Sequence, residues 1–362
     1  MKLAATMFAA FALSAFGCEA SPPDAPTAAA SGDAGLAPPT AEAGPEAAKP
    51  LEPSPARCAE RSSGAVRVAV IVVNAGDANA PCAVEQVRER VVGAGGVRDY
   101  YRETSDGRLE LEGDVFGPVQ IPALTACVGK DSPGATTEML RQWYAQADAA
   151  AEASGIDLSS YTRRMYVMPP SASCGGGGVS RPAMNRAWVF RCEQTAIYAH
   201  ELGHVLGVDH ASSAEGDYGD GSDVMGHGLL QLNGPHRAEL GWLPADRVVR
   251  VTSSGTYRIG ALEAQSQAPQ VLTITRRDNP ARAIHLSVRK RIGFDAALDD
   301  SFVGRTSVHE YVAACATTPT PTMLLATLAD GQAHTATGSG VTITQVAHDG
   351  DTATIQVRFD PE

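Results

Sequence analysis

Residues 200–210 read His-Glu-Leu-Gly-His-Val-Leu-Gly-Val-Asp-His, and this spacing leaves the chain few ways to fold around its histidines. His200 and His204 stand four apart, so a helix brings both imidazoles to one face, one turn apart, where they can share a metal ion. Glu201, beside the first of them, can face a water on that ion. Gly207 accepts a left-handed backbone that a Cβ resists, so the helix can end there and the chain can swing back. His210 then arrives from another direction as a third ligand. Three protein nitrogens with one position left open are the layout of a catalytic zinc site, not of a closed structural one. The chemistry expected of such a site is hydrolysis. Zinc acidifies water and polarises a carbonyl, and Glu201 carries the proton from water to the leaving amine.

The N-terminal end reads as an export signal over residues 1–17. Lys2 supplies the positive start, Leu3 to Phe16 are mostly apolar, and Ala15-Phe16-Gly17 is a small-x-small pattern before Cys18. A signal ending in Gly-Cys resembles that of a bacterial lipoprotein, so Cys18 is a candidate lipidation site. The expected location is the outer membrane or cell surface, with simple secretion as the alternative. Residues 18–59, rich in Ala, Pro, Gly, Ser and Glu, cannot bury enough apolar surface to offset their ordering entropy and read as a disordered tether. Of the seven cysteines, Cys58, Cys82, Cys127, Cys174, Cys192 and Cys315 lie beyond the signal. In an oxidising compartment they point to disulfides. Cys174–Cys192, which flank one Gly-rich loop, is the expected pair.

A net charge of −12 argues against nucleic acid or anionic lipid as partners. Membrane contact is expected only through the lipid anchor, and the chain is expected to be a monomer. The longest basic run, Arg289-Lys290-Arg291, reads as a solvated strand edge. Within residues 60–245, Val66 to Val73 reads as a buried strand and Val84 to Tyr101 has helical spacing. Leu109 to Glu112 alternates as a strand does, Thr137 to Ala153 is a helix candidate, Arg164 to Met168 a strand, and Gln194 to Val205 a helix. Over residues 246–362 short β-rich runs separated by turns predict an all-β, sandwich-like domain. They are Val248–Thr252, Val271–Thr275, Ile284–Val288, Met323–Leu328, Val341–Val346 and Thr352–Phe359.

The extended histidine motif is that of the metzincin clan of zinc peptidases. Glu215 to Gly226 resembles the segment that leads into the Met-turn in the gametolysin family. Asn233 to Trp242 is similar to that family's closing stretch, and Tyr100 to Gly107 to its helix-to-strand passage. The resemblance covers residues 65–243 and continues weakly to the end. It implies an α/β metzincin-like catalytic domain, with His200, His204 and His210 as zinc ligands and Glu201 as general base. Met225 is implied as the methionine beneath the metal. Some metzincins place a tyrosine two residues after this methionine, where it can assist the reaction. His227 holds that position here, and an ordinary loop histidine is the competing reading. Tyr218 is a second source of a hydroxyl, with packing as its competitor. Asp217, Asp220 and Asp223 could gather a calcium ion, although their spacing matches no standard loop.

The function expected is cleavage of internal peptide bonds in extracellular or cell-wall proteins, with protein or peptide as substrate. The alternative is a surface-anchored lipoprotein whose β-domain binds protein or polysaccharide.

Overall fold

The apolar run after Gly64 becomes β1 (Gly64–Ala75), an interior strand of a five-stranded sheet in the computed structural model, which describes residues 63–124, 136–169, 176–312 and 319–361. The signal, Cys18 and the tether lie outside those residues. β1 is parallel to β2 (Leu109–Ile121) and to β3 (Arg163–Val167). β5 (Arg186–Val189) continues the parallel set beyond β3, and β4 (Gly178–Arg181) closes the edge antiparallel to β5.

Parallel strands are covered on both faces, which is why β1 is apolar almost throughout rather than alternating. Val66, Val68, Val70 and Val72 face one core, shared with α1 (Val84–Val92), α2 (Val97–Thr104) and α4 (Thr195–Leu206). Ala69, Ile71 and Val73 face the other, where α3 (Thr137–Ala153) packs Leu140, Trp143, Ala147 and Ala151. Thr136 caps α3 by accepting the Met139 amide.

The stretch from Val84 to Tyr101 is two helices, not one. Gly93, Ala94, Gly95 and Gly96 interrupt it, and Gly95 has φ +70°, a conformation that glycine adopts at little cost. β2 runs much further than its alternating start, Leu109 to Glu112.

The later strands form two sheets. One has six strands in the order β6 (Ala211–Ser213), β12 (Thr322–Leu328), β11 (Thr306–Val312), β10 (Arg282–Val288), β9 (Val271–Thr275) and β7 (Val248–Arg250). The other orders β13 (Ala333–Ala336), β14 (Val341–Asp349), β15 (Thr352–Phe359) and β8 (Gly255–Gly260). Leu272, Ile274, Ile284, Leu286 and Val308 from the first meet Ile259, Ile343, Ile355 and Val357 from the second in one apolar core. β6, however, follows His210 directly. A strand from the metal motif is thus built into the six-stranded sheet, and the described residues belong to one compact unit.

Two expectations are corrected. Cys192 is bonded to Cys82 rather than to Cys174, with Cα atoms 6.0 Å apart. The two residues precede α4 and α1, which pack on the same sheet face, a neighbourhood invisible in the spacing. Cys174 lies outside the described residues, as do Cys58, Cys127 and Cys315. Arg289 is no solvated edge either, since its side chain is buried between Glu263 and Asp295. Two carboxylates compensate a charge that would otherwise be costly to desolvate. No helix among the described residues is long and apolar enough to cross a membrane.

Candidate metal centre

Helix α4 is anchored through its apolar positions. Tyr198, Ala199, Leu202, Val205 and Leu206 are buried in the core under the sheet, and Tyr101 donates its hydroxyl hydrogen to the Ala199 carbonyl. Gly207 ends the helix at φ +116°, as its position predicts. His200 and His204 therefore share one face, and the returning chain brings His210 to them. Ligand atoms of the three lie within 4.8 Å of one another. Ring centroids are 4.8 Å apart for His200–His204 and His204–His210, and 5.5 Å for His200–His210.

The hydrogen bonds fix which nitrogens are free. His200 Nδ1 lies 2.9 Å from the Val224 carbonyl and His204 Nδ1 lies 3.0 Å from the Val208 carbonyl. A carbonyl only accepts, so each Nδ1 donates a proton and each neutral ring keeps its Nε2 lone pair for a ligand. Burial, with the neighbouring His200 and His210, pushes His204 down to about 3. Burial lowers His200 and His210 as well. Three neutral imidazoles with converging lone pairs fit a zinc-type cation, which requires deprotonated ligands. The other group of metal-ligating type among the described residues, Cys82 with Cys192 and Glu193, has its sulfurs closed in a disulfide.

Glu201 is buried beside this cluster. Burial pushes its carboxyl up to about 8, against the lowering pull of a Ser180 hydrogen bond and the Arg181 charge. Both residues belong to β4, whose glycines make the approach possible. A Cβ on Gly178 would meet Glu201 Oε1 at 2.6 Å and the Trp188 carbonyl oxygen at 2.7 Å, and one on Gly177 would meet Ile197 Cδ1 at 2.5 Å. Gly177 and Gly178 therefore let an edge strand lie against α4. They were legible in the sequence as part of a Gly-rich loop, but not as this contact. Gly178→Ala is expected to displace the Glu201 carboxylate and lower kcat/KM about 100-fold, the scale for a misplacement near 1 Å, with zinc content unchanged. An alanine variant as active as wild type would dismiss this contact.

Met225 is fully buried beneath α4, and a Cβ on Gly203 would meet its sulfur at 2.5 Å. Glycine at 203 thus admits the methionine. The turn that carries Met225 is held by Asp223, which accepts from the Met225 and Asn233 amides at 2.7 Å each and lies 2.8 Å from His236 Nδ1. His236 belongs to α5 (Gly234–Glu239), capped by the Asn233 side chain.

Asp220 is occupied in the same way. It accepts from the Ser222 amide and hydroxyl and lies 2.8 Å from His309 Nε2. Burial would raise its pKa, but the His309 and Ser222 bonds overcome that and hold it well below the usual carboxylate range. Asp220 and Asp223 are thus spent on protein donors. The three aspartates form no metal cluster among the described residues.

The two candidate assisting residues separate. Tyr218, at φ +66°, lays its ring 4.2 Å from that of His210 and 5.7 Å from that of His200. A non-glycine residue in left-handed backbone beside a site is a strain that the surrounding loop must sustain. His227 is exposed, hydrogen-bonds the Gly226 carbonyl, and makes no ring contact with the three histidines among the described residues.

A mixed α/β fold with three converging neutral imidazoles and a buried carboxylate has the make-up of a metallohydrolase. Residues 67–325 match the family model described as gametolysin peptidase M11, which is most of the chain. The chain belongs to this family of zinc metallopeptidases.

Over 127 residues it is 31% identical to an autolysin of Chlamydomonas reinhardtii, a match covering 29% of this chain and 20% of that protein. The chain thus spans about a fifth of the length of that relative. Among solved structures, a zinc-dependent peptidase from Methanocorpusculum labreanum is 15% identical, over 47% of this chain and 99% of that one, with a TM-score of 0.28.

Proposed function

We propose that the protein is a zinc-dependent endopeptidase of metzincin type, with His200, His204 and His210 as its ligands and Glu201 as general base. The observation that carries this reading is the convergence of three imidazoles, two of them with Nδ1 facing a carbonyl, next to a buried carboxylate. Zinc held there supplies Lewis acidity, lowering the pKa of water to about 7 and polarising a carbonyl.

The chain's own residues do the rest. Glu201 accepts the proton of the attacking water and returns it to the leaving amine. Met225 supports the helix that presents His200 and His204. β4 is an edge strand with β5 as its one strand partner among the described residues. A substrate peptide can add to it by main-chain hydrogen bonds, which places an internal peptide bond over Glu201. Tyr218 offers a hydroxyl from the opposite, His210 side to the oxygen on which charge develops.

Extracellular or cell-wall protein is the substrate class we assign, in keeping with the likeness to an autolysin and with the export signal read at residues 1–17. Anchoring through Cys18 belongs to the same proposal.

Purified full-length protein is expected to cleave unfolded casein, to lose that activity on removal of metal by a chelator, and to regain it with stoichiometric zinc. His204→Ala should be inactive and metal-poor. Cleavage indifferent to the chelator would end the proposal. Tyr218→Phe is expected to lower kcat about 10-fold with KM and zinc content unchanged. That is less than the usual loss of an oxyanion donor, because the side chain is 41% exposed. An undiminished kcat would return Tyr218 to packing.

A further inference from the structure

The metal motif leaves α4 and runs straight into the C-terminal sheet. The carbonyl of His210 accepts the Thr322 amide at 3.0 Å. The next three residues, Ala211, Ser212 and Ser213, pair in parallel with Thr322, Met323 and Leu324 of β12. On the neighbouring strand β11, His309 Nε2 reaches Asp220 Oδ2 at 2.8 Å, both side chains being buried. Asn233 Nδ2 donates to Thr322 Oγ1 at 3.0 Å. At the end of β10, the buried Arg289 donates to the Ser222 carbonyl at 2.9 Å and to the Gln231 carbonyl at 3.1 Å.

The segment held in this way is the one that serves the metal. The Met225 carbonyl accepts the Ala211 amide at 3.1 Å, and the Ala211 carbonyl accepts the Asp220 amide at 3.1 Å. The Val224 carbonyl orients the His200 ring. These ties from the later strands land on His210, on the residues that follow it, or on the loop that carries Met225 towards α5.

We infer that β11 and β12 are positioning elements of the metal centre: Thr322 and His309 hold the third imidazole and the Met225 loop in place. The C-terminal sheet is then part of the peptidase and not an attached module, and a catalytic unit ending near residue 245 would lack the support of its third ligand. The family match, which runs on to residue 325 and so into β12, has the extent this requires. The inference rests on His200, His204 and His210 being the zinc ligands.

Ligand orientation set by such outer partners typically changes metal affinity by about 10–100-fold when they are removed. Because coupling is reciprocal, zinc must also stabilise the strands that hold its ligand.

Hydrogen exchange on the full-length chain, zinc-loaded against chelated, is the first test. Zinc should slow amide exchange in β12 over Thr322–Leu324 as well as in α4, and leave β13 and β14 unchanged. Protection confined to residues 195–227 would overturn the inference.

The second test is zinc affinity by chelator competition, with the visible spectrum of the cobalt-substituted protein as a readout of ligand geometry. His309→Leu should bind zinc about 10–100-fold more weakly with an altered cobalt spectrum. His309→Gln, which keeps a donor near the Nε2 position, should restore both. A leucine variant with wild-type affinity and spectrum would overturn the inference; if that variant does not fold, the exchange result alone decides. Zinc binding that survives His204→Ala would instead remove the ligand assignment beneath it, an outcome distinct from the failure of β12 to respond.

Discussion

Glu201→Gln is expected to lower kcat/KM by about 10²–10⁴-fold, the range for a positioned general base, while zinc stays bound in stoichiometric amount. Glutamine keeps the size of glutamate, so the packing against Gly178 is preserved. It cannot accept a proton from water, and that capacity alone is removed. His200 and His204 are oriented by the Val224 and Val208 carbonyls, and the His210 backbone carbonyl is held by the Thr322 amide, none of them by Glu201, so the metal should remain. A drop in activity accompanied by loss of zinc would show that Glu201 supports the site rather than reacting in it. Full activity in the glutamine variant would eliminate it as the base. The wild-type pH profile adds a check on sign. A base must be ionised, so activity falls as pH drops through its pKa. Burial pushes the carboxyl up to about 8, and a cation beside it favours the ionised form. The acid limb of kcat/KM is therefore expected below that value.

The contrast between Glu201 and Gly178 marks the division between what local sequence carries and what tertiary packing adds. His200, Glu201, His204, Gly207 and His210 fall within three turns of chain, so helical geometry and one glycine determine their placement. Helix α4 runs Thr195–Leu206, within a residue of its expected start and end. β9 and β15 likewise coincide with their expected runs, because a β-branched segment between turns has few other uses.

The misses concern partners distant in sequence. β11, Thr-Ser-Val-His-Glu-Tyr-Val, alternates as a strand does, but its polar face hides it: that face is buried, and His309 is there to meet Asp220. β6 has only three residues and exists because β12 offers an edge. Arg289 looked like surface charge because Glu263 and Asp295 stand 26 and 6 residues away, too far for a local pattern to pair all three. Tyr218 is a candidate on its residue type alone; the left-handed backbone that lays its ring beside His210 is announced by nothing in its neighbours.

Removing the Cys82–Cys192 bridge is expected to cost about 2–5 kcal/mol of folding stability, the largest loss expected from any change outside the site. The bridge spans a separation of 110 residues. On the chain-entropy account a loop of that order constrains the unfolded state by about 4.7 kcal/mol, so the effect sits at the upper end. The native ends it joins are well placed to transmit the loss. Cys192 is fully buried, its carbonyl accepts the Tyr198 hydroxyl at 3.1 Å, and α4 begins three residues later. Cys82 lies just before α1, which packs on the same face of the sheet.

Urea denaturation of the Cys82→Ser, Cys192→Ser double variant against wild type measures the difference directly. A change below about 1 kcal/mol would mean that the unfolded chain is already restricted without the bridge, or that the cysteines do not pair in the mature protein. Zinc affinity well below the new transition should be unaltered. The imidazoles lie one turn or more beyond Cys192, and the carbonyls that orient His200 and His204, those of Val224 and Val208, belong to segments that the bridge does not join. A bridge that mattered to the metal as well as to the fold would lower both, and comparison with His309→Leu, which should lower affinity first, separates the two ways of losing this site.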